Sequence, residues 1–318
     1  MFGRRRNLIR VPRDLATVTR VDQAAEADPA SLGVSDKDVR RIWSSIEHLY
    51  RGGTQPFVSL GIWRRGECLV KRSIGHVSGN APGDPVGGRA VVGTPDTPVC
   101  LFSASKAITA VLIHQLAEQG YLSLEAPVAD YVPEFAARGK HRVTVSELLA
   151  HRGGIPRVPM RKPDPAILFE WAAAVDMLCR AKPLHRGGKQ VAYHAITGGF
   201  ILGEIARRVT GQELRPLLDQ GLRTPLGLRH FTYGMAPKDR HELAQDAFTG
   251  PVPPWPVGLI AKRALGVPFE KVPSISTDPR FMDAVIPAGN IVATADEVCR
   301  FYAMLLQDGA WQGTQVLK

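Results

Sequence analysis

Apolar positions along this chain fall into two rhythms, and the change between them predicts its architecture. Over 35–50, Val39, Ile42, Trp43, Ile46 and Leu49 recur at spacings of three and four, the period of a helix with one buried face, and Ser35 suits its N-cap. Two strand-like runs follow at 56–63 and 67–74, separated by Arg64-Arg65-Gly66, which predicts a β-hairpin. Residues 75–98 are rich in Gly and Pro and read as a loop. The helical period returns after 103 with Ala107, Ile108, Ala110, Val111, Leu112, Leu116 and Ala117, and Gly120 closes it.

Helical pattern then dominates. Segment 122–133 reads as a turn with short helical pieces, and Thr144-Val145-Ser146-Glu147 fits a capping box opening a helix over 146–150. Further helices are expected at 165–180, at 196–210 with Gly211 as its stop, at 214–222 and at 295–306. Between them, 183–190 reads as a basic, Gly-containing turn. Pro251, Pro253, Pro254 and Pro256 around Trp255 read as an ordered loop or rim, and 231–287 as a whole shows little regular pattern. Residues 1–30 read as a leader that packs loosely or wraps the surface. A hairpin followed by helices lacks the alternation of a parallel βαβ sheet. The expectation is an α+β fold. An α/β layer with an antiparallel sheet comes from both chain ends (1–120 and 286–318), with a mainly helical region, 121–285, against it.

Composition narrows the class. With 318 residues, 44% hydrophobic and 22% charged, the chain can bury a sizeable core as an ordinary globular protein. Cys68, Cys100, Cys179 and Cys299 show no metal-ligand or disulfide spacing, so neither a metal nor another cofactor is expected. No apolar run is long enough for stable membrane insertion. Arg4-Arg5-Arg6 is not followed by the apolar segment of a secretory signal, so the expectation is a cytoplasmic protein. A net charge of +10 permits attraction to anionic lipid or nucleic acid. The basic residues are spread along the chain without a nucleic-acid-binding motif, so they read as a solvated surface.

Ser103-Ala104-Ser105-Lys106 carries the candidate chemistry. Residues three apart at a helix start share a face, so a lysine whose charge is disfavoured by burial could take the serine proton, beside N–H groups able to hold an oxyanion. Taken alone, the tetrapeptide favours a plainer reading: Ser103 as an N-cap and Lys106 as a solvated first-turn residue. Tyr193 alone likewise reads as a core tyrosine bonded through its hydroxyl.

Segments taken in order change the weighting. Ser103-x-x-Lys106, then Leu148-Leu-Ala-His-Arg-Gly-Gly-Ile-Pro156, then Tyr193-His194-Ala195 ahead of a helix ending Arg208-Val-Thr-Gly211, resemble the β-lactamase-related serine hydrolases. That group comprises class C β-lactamases, DD-peptidases and esterases of the same fold. Segment 122–135 resembles the family's L-x-L-x-x-P-V-x-x-Y-x-P-x-F stretch, and 287–296 its Gly-x-x-x-Thr-Ala-x-Asp stretch. The resemblance covers about 35–318. It implies Ser103 as nucleophile with Lys106 and Tyr193 sharing the general base and acid roles. It puts Ala195 in the slot of a substrate-holding side chain, with His194 adjacent at the substrate site in a structural role. Apart from the resemblance, Trp255, with its prolines and Phe248, is expected as an apolar substrate-binding rim. His151, in the family's L-L-x-H slot, reads as bonding local backbone.

Two departures matter. The family's Tyr-x-Asn is Tyr193-His194-Ala195 here; the family's asparagine helps hold an amide, and alanine cannot, which tilts the expectation from amides to a small-molecule ester. The family's last motif, Lys-Thr-Gly or His-x-Gly on a strand lining the site, does not occur before Lys318, so the chain is expected to be part of a longer protein. The expected function is ester hydrolysis through an acyl-enzyme. The alternatives are a DD-peptidase or β-lactamase and, from another class, a non-catalytic binding protein retaining the fold.

Overall fold

Both ends of the chain meet on one antiparallel sheet. The structure, a computed structural model, describes residues 7–159, 164–185, 188–259, 262 and 267–318. Arg4-Arg5-Arg6, and Arg186 and Gly187 of the 183–190 turn, lie outside them. The first sheet contains β1 (Thr19–Val21), β2 (Phe57–Arg64), β3 (Glu67–Ser78) and β4 (Val91–Val92). β2 and β3 form the expected hairpin, paired from Arg64 opposite Glu67 to Phe57 opposite Gly75. Arg65 and Gly66 turn the chain with φ of 54° and 83°, the left-handed geometry that matches strand twist in a tight hairpin.

Of the two readings of 1–30, loose packing does not hold for residues 7–30. β1 pairs with the free edge of β3, and Ile9, Leu15 and Val18 are buried with Trp43, Tyr50 and Ile74. The 75–98 loop is shorter than expected, because β3 runs on to Ser78 and pairs there with β4.

Helix α1 (Asp36–Arg51) is capped by Ser35, whose hydroxyl accepts from the Asp38 N–H. Its buried seam is Val39, Trp43 and Tyr50, while Leu49 stands exposed. Position 50 lies seven residues, two full turns, beyond 43, whereas position 49 is rotated by about 100°. Val58, Leu60 and Ile62 of β2 face this helix. The alternate residues Gly61 and Trp63 face α7 (Ala295–Leu306), which the sequence predicts with these bounds. Trp63 Nε1 donates to Asp296 Oδ1 at 2.8 Å.

A second sheet, in the order β5-β7-β6, joins distant segments: β5 (Val99–Cys100), β6 (Thr232–Tyr233) and β7 (Ile291–Ala293), all antiparallel. Against it lies the helical region. Helix α2 (Ser105–Glu118) buries Ile108, Leu112, Ile113 and Leu116 in the main core. With it are α3 (Val145–Leu149), whose capping box pairs Thr144 with Glu147, α4 (Trp171–Arg180), α5 (Thr197–Thr210) and α6 (Leu214–Leu218). α5, buried from Thr197 to Ala206, is the helix against which α2, α3, α4 and α6 pack. α5 stops at Gly211 with φ 70°, a left-handed C-cap. An antiparallel sheet layer with a helical region is an α+β fold, as expected.

Candidate active site

Ser103 lies where β5 hands over to α2. Cys100 pairs with Val292, and the Leu101 N–H donates to the Ile291 carbonyl at 2.8 Å, so β7 fixes the approach. Phe102 then adopts φ 43°, a strained conformation for a bulky residue, and its ring packs 6.5 Å from that of Phe281. Ser105 Oγ accepts from the Ile291 N–H at 3.0 Å and pins the start of the helix. This strained turn presents Ser103 exposed ahead of α2.

Lys106 Nζ donates to Ser103 Oγ at 3.0 Å and to the Ala288 carbonyl at 2.8 Å, and lies 5.0 Å from the centre of the Tyr193 ring. Burial pushes the Lys106 ammonium below the usual lysine range, against the opposing pull of hydrogen bonding and charge from Tyr193. The structure therefore brings Ser103, Lys106 and Tyr193 together. A lysine so disposed can lose its proton and then accept one from the serine.

The Ala288 carbonyl is itself held in place. Thr109 Oγ1 donates to the Pro287 carbonyl at 2.6 Å, which leaves the Tyr233 hydroxyl, 2.8 Å away, to donate to Thr109. Burial pushes the Tyr233 phenol above its ordinary value, keeping it a donor. The buried Asn290 accepts from the Ile286 N–H at 2.9 Å and donates to the Phe281 and Ala284 carbonyls. On the α5 side, a Cβ at Gly199 would lie 2.8 Å from Ala288 N, so this glycine permits the close approach. Sequence reasoning missed these supports. Thr109, three residues after Lys106, carried a faint signal; a backbone carbonyl carries none.

His151 and His194 brace Tyr193. His151, at φ 60°, accepts at Nδ1 from the His194 N–H at 3.2 Å, and its carbonyl accepts from the Ala192 N–H at 2.9 Å. Its ring lies 5.0 Å from the Tyr193 ring; burial, then the Lys106 charge, push its pKa down. His194 accepts at Nε2 from the Ile155 N–H at 3.1 Å, so Nδ1 carries the proton and donates to the Ala192 carbonyl at 2.6 Å. Burial pushes its pKa down to about 4.

The three expected substrate contacts are placed differently. His194 borders a cavity of about 50 Å³ beside Lys106, Thr109, Leu148 and Leu202, but backbone groups engage both its ring nitrogens. Ala195 is 2% exposed and buried in the core. Trp255 is 83% exposed and lines a separate groove of about 1100 Å³ with Leu8, Phe248 and neighbouring prolines. A Trp among prolines carries the same sequence signature at a surface groove as at a pocket rim.

Among the described residues, no group of three or more His, Cys, Asp or Glu could hold a metal ion, and no helix is long and apolar enough to cross a membrane.

The Beta-lactamase family model matches residues 45–317. The chain is 32% identical over 234 residues to the Esterase/beta-lactamase LipL of Mycobacterium tuberculosis, covering 70% of this chain and 54% of that protein. It is also 32% identical over 237 residues to Penicillin-binding protein 4 of Amycolatopsis lactamdurans, covering 72% and 56%. The chain thus spans about half the length of these curated relatives. Among solved structures, a family VIII carboxylesterase aligns with a TM-score of 0.75 at 27% identity, covering 93% of this chain and 74% of that one. A penicillin-binding protein homologue from Caulobacter crescentus aligns at 0.73 and 28%, covering 92% and 74%. With the match running through the hairpin, the Ser103 turn, the Tyr193 segment and the closing helix, the chain belongs to the Beta-lactamase family.

Proposed function

We propose that this chain carries the site of a serine hydrolase that cleaves carboxylic esters through an acyl-enzyme on Ser103. The observation that carries the reading is the 3.0 Å contact between Lys106 Nζ and Ser103 Oγ, with Nζ also bound to the Ala288 carbonyl. In the neutral amine one N–H stays on that carbonyl, and the lone pair can take the Ser103 proton as Oγ attacks the acyl carbon. The C–O bond to the leaving group then breaks. The departing alkoxide takes a proton from Lys106 or the Tyr193 phenol, and water, deprotonated by the same pair, releases the acid and restores Ser103.

Esters rather than amides are supported by the sequence at position 195, where alanine stands in place of the family's asparagine. An alkoxide leaves more readily than an amine, whereas an amide needs its dipole held and its nitrogen protonated. Ala195 supplies no polar group for the first task. The relatives bearing esterase names support this reading, and the Penicillin-binding protein 4 likeness supports the competing one, a DD-peptidase or β-lactamase.

The test is kinetic, on the full-length protein. A p-nitrophenyl ester of short or medium chain should give a kcat/KM well above that of a chromogenic cephalosporin, and Ser103→Ala should abolish hydrolysis and labelling by a fluorophosphonate. Equal turnover of the cephalosporin would overturn the ester assignment. Full activity in Ser103→Ala would overturn the mechanism, and an unlabelled, inactive wild type would favour a binding protein.

A further inference from the structure

Arg215, on α6, is a half-buried guanidinium whose hydrogen bonds go to backbone carbonyls. Nε donates to the Tyr233 carbonyl at 2.7 Å, and Nη2 to those of Asp283 at 2.7 Å and Ala284 at 2.9 Å. The last two lie at the end of the short helix Pro279–Asp283, where carbonyls lack intrahelical partners and a cation is favoured. The joint is closed tightly. The Met235 N–H donates to the Met282 carbonyl at 3.1 Å, and at Gly234, φ 64°, a Cβ would overlap that carbonyl. Two hydrogen-bonded routes lead from this joint to Lys106. One runs from Tyr233 through Thr109 to the Pro287 carbonyl, and the other from Ala284 through Asn290 to the Ile286 N–H. Both end beside Ala288, whose carbonyl receives Lys106.

We propose that Arg215 is a positioning residue of the active site: one guanidinium, by gripping the Tyr233, Asp283 and Ala284 carbonyls, sets the Ala288 carbonyl against the Lys106 amine. The proposal rests on the reading of Ser103 and Lys106 as nucleophile and base. Asp283, itself paired with Arg240, is the carboxylate facing Arg215, and Arg240 is the facing cation. The titratable groups facing Lys106 are Tyr193 and His151.

A merely structural Arg215 and a positioning one predict different kinetics. Loss of structure removes active molecules without altering those that remain. A displaced Ala288 carbonyl misaims the base and also withdraws a hydrogen bond that favours the ammonium, so Lys106 should lose its proton at lower pH. The experiment measures p-nitrophenyl acetate hydrolysis against pH by the full-length protein and its Arg215→Met and Arg215→Lys variants, normalised to sites titrated with a fluorophosphonate.

Per titrated site, Arg215→Met should lower kcat by about 10- to 100-fold with KM little changed, and move the acidic limb of the profile to lower pH. Arg215→Lys should restore part of both. Unchanged kcat per site and an unmoved limb, in whichever variant folds, would overturn the proposal, as would failure of both to fold. Ser103→Ala run alongside separates the two ideas. Retained hydrolysis there removes the underlying reading, whereas its loss together with an unchanged Arg215 profile removes only the inference.

Discussion

Lys106 and His194 are both bases whose proton affinity is lowered by burial, yet the two are held for different ends. Lys106 keeps a polar neighbour, Ser103, that can exchange a proton with it. His194 has both nitrogens committed to backbone and serves as a brace in its neutral form. That commitment has a pH signature. Its folded pKa, about 4, lies below the ordinary 6.5, so between these values the unfolded chain binds a proton that the folded one refuses. Stability from this group is therefore complete above about pH 6.5 and lost as pH falls towards 4, a loss of about 3 kcal/mol. Gln in its place can still accept from Ile155 and has nothing to titrate. Urea unfolding at pH 7.5 and 4.5 should show a smaller pH penalty in His194→Gln than in wild type; equal penalties would contradict the buried neutral ring. At this scale the sequence was most legible where two side chains meet through local spacing, as Ser103 and Lys106 do. It was silent where the partner is a backbone group far along the chain.

Two helices begin with the same device and differ in what it is joined to. Thr144 with Glu147, and Thr294 with Glu297, each form a capping box. Glu147 is half-buried, and its carboxylate returns to the Thr144 N–H. Glu297 is 5% exposed; it binds the Thr294 N–H at 2.8 Å and, through its other oxygen, the N–H groups of Arg229 and His230, both at 2.7 Å. Removing Glu297 would leave three donors without their acceptor, the N–H groups of Thr294 and His230 buried and that of Arg229 part-buried, whereas Glu147 accepts from the part-buried Thr144 N–H. Each unsatisfied group costs about 1–3 kcal/mol, so Glu297→Ala should destabilise by roughly 3 kcal/mol or more and Glu147→Ala by about 1 kcal/mol. Denaturant titration of the two variants checks the order, and equal losses would contradict it. A Thr-x-x-Glu pattern announces a helix start, but nothing in it tells that one glutamate also ties down a loop 67 residues away. Strands β1 and β6 were unreadable for a related reason: two or three residues cannot display an alternation, and partners on other segments create those strands.

Across the whole molecule, Lys106 finds its acceptor 182 residues away, so the site exists only once distant segments have closed on one another. The closure passes through the first sheet. Gly61 of β2 lets α7 approach: a Cβ there would lie 3.0 Å from Cys299 Sγ and 3.3 Å from the Ala295 carbonyl. The thiol can rotate aside, but the carbonyl is backbone and can yield only if α7 moves. α7 follows β7 with Thr294 between them, and Ile291 of β7 holds both Leu101 and Ser105 on either side of the nucleophile. The order of motifs disclosed which segments belong together, but not this route, because a glycine in a strand has no side chain by which to name its neighbour. Gly61→Val should therefore lower the unfolding free energy by about 1–3 kcal/mol, the usual cost of overpacking. It should also slow fluorophosphonate labelling of Ser103 per folded molecule, although Gly61 touches none of the catalytic candidates. A stability loss with labelling unchanged would mean that sheet and site are mechanically independent, and that the Ser103 turn is held by β5 and α2 without help from the far end of the chain.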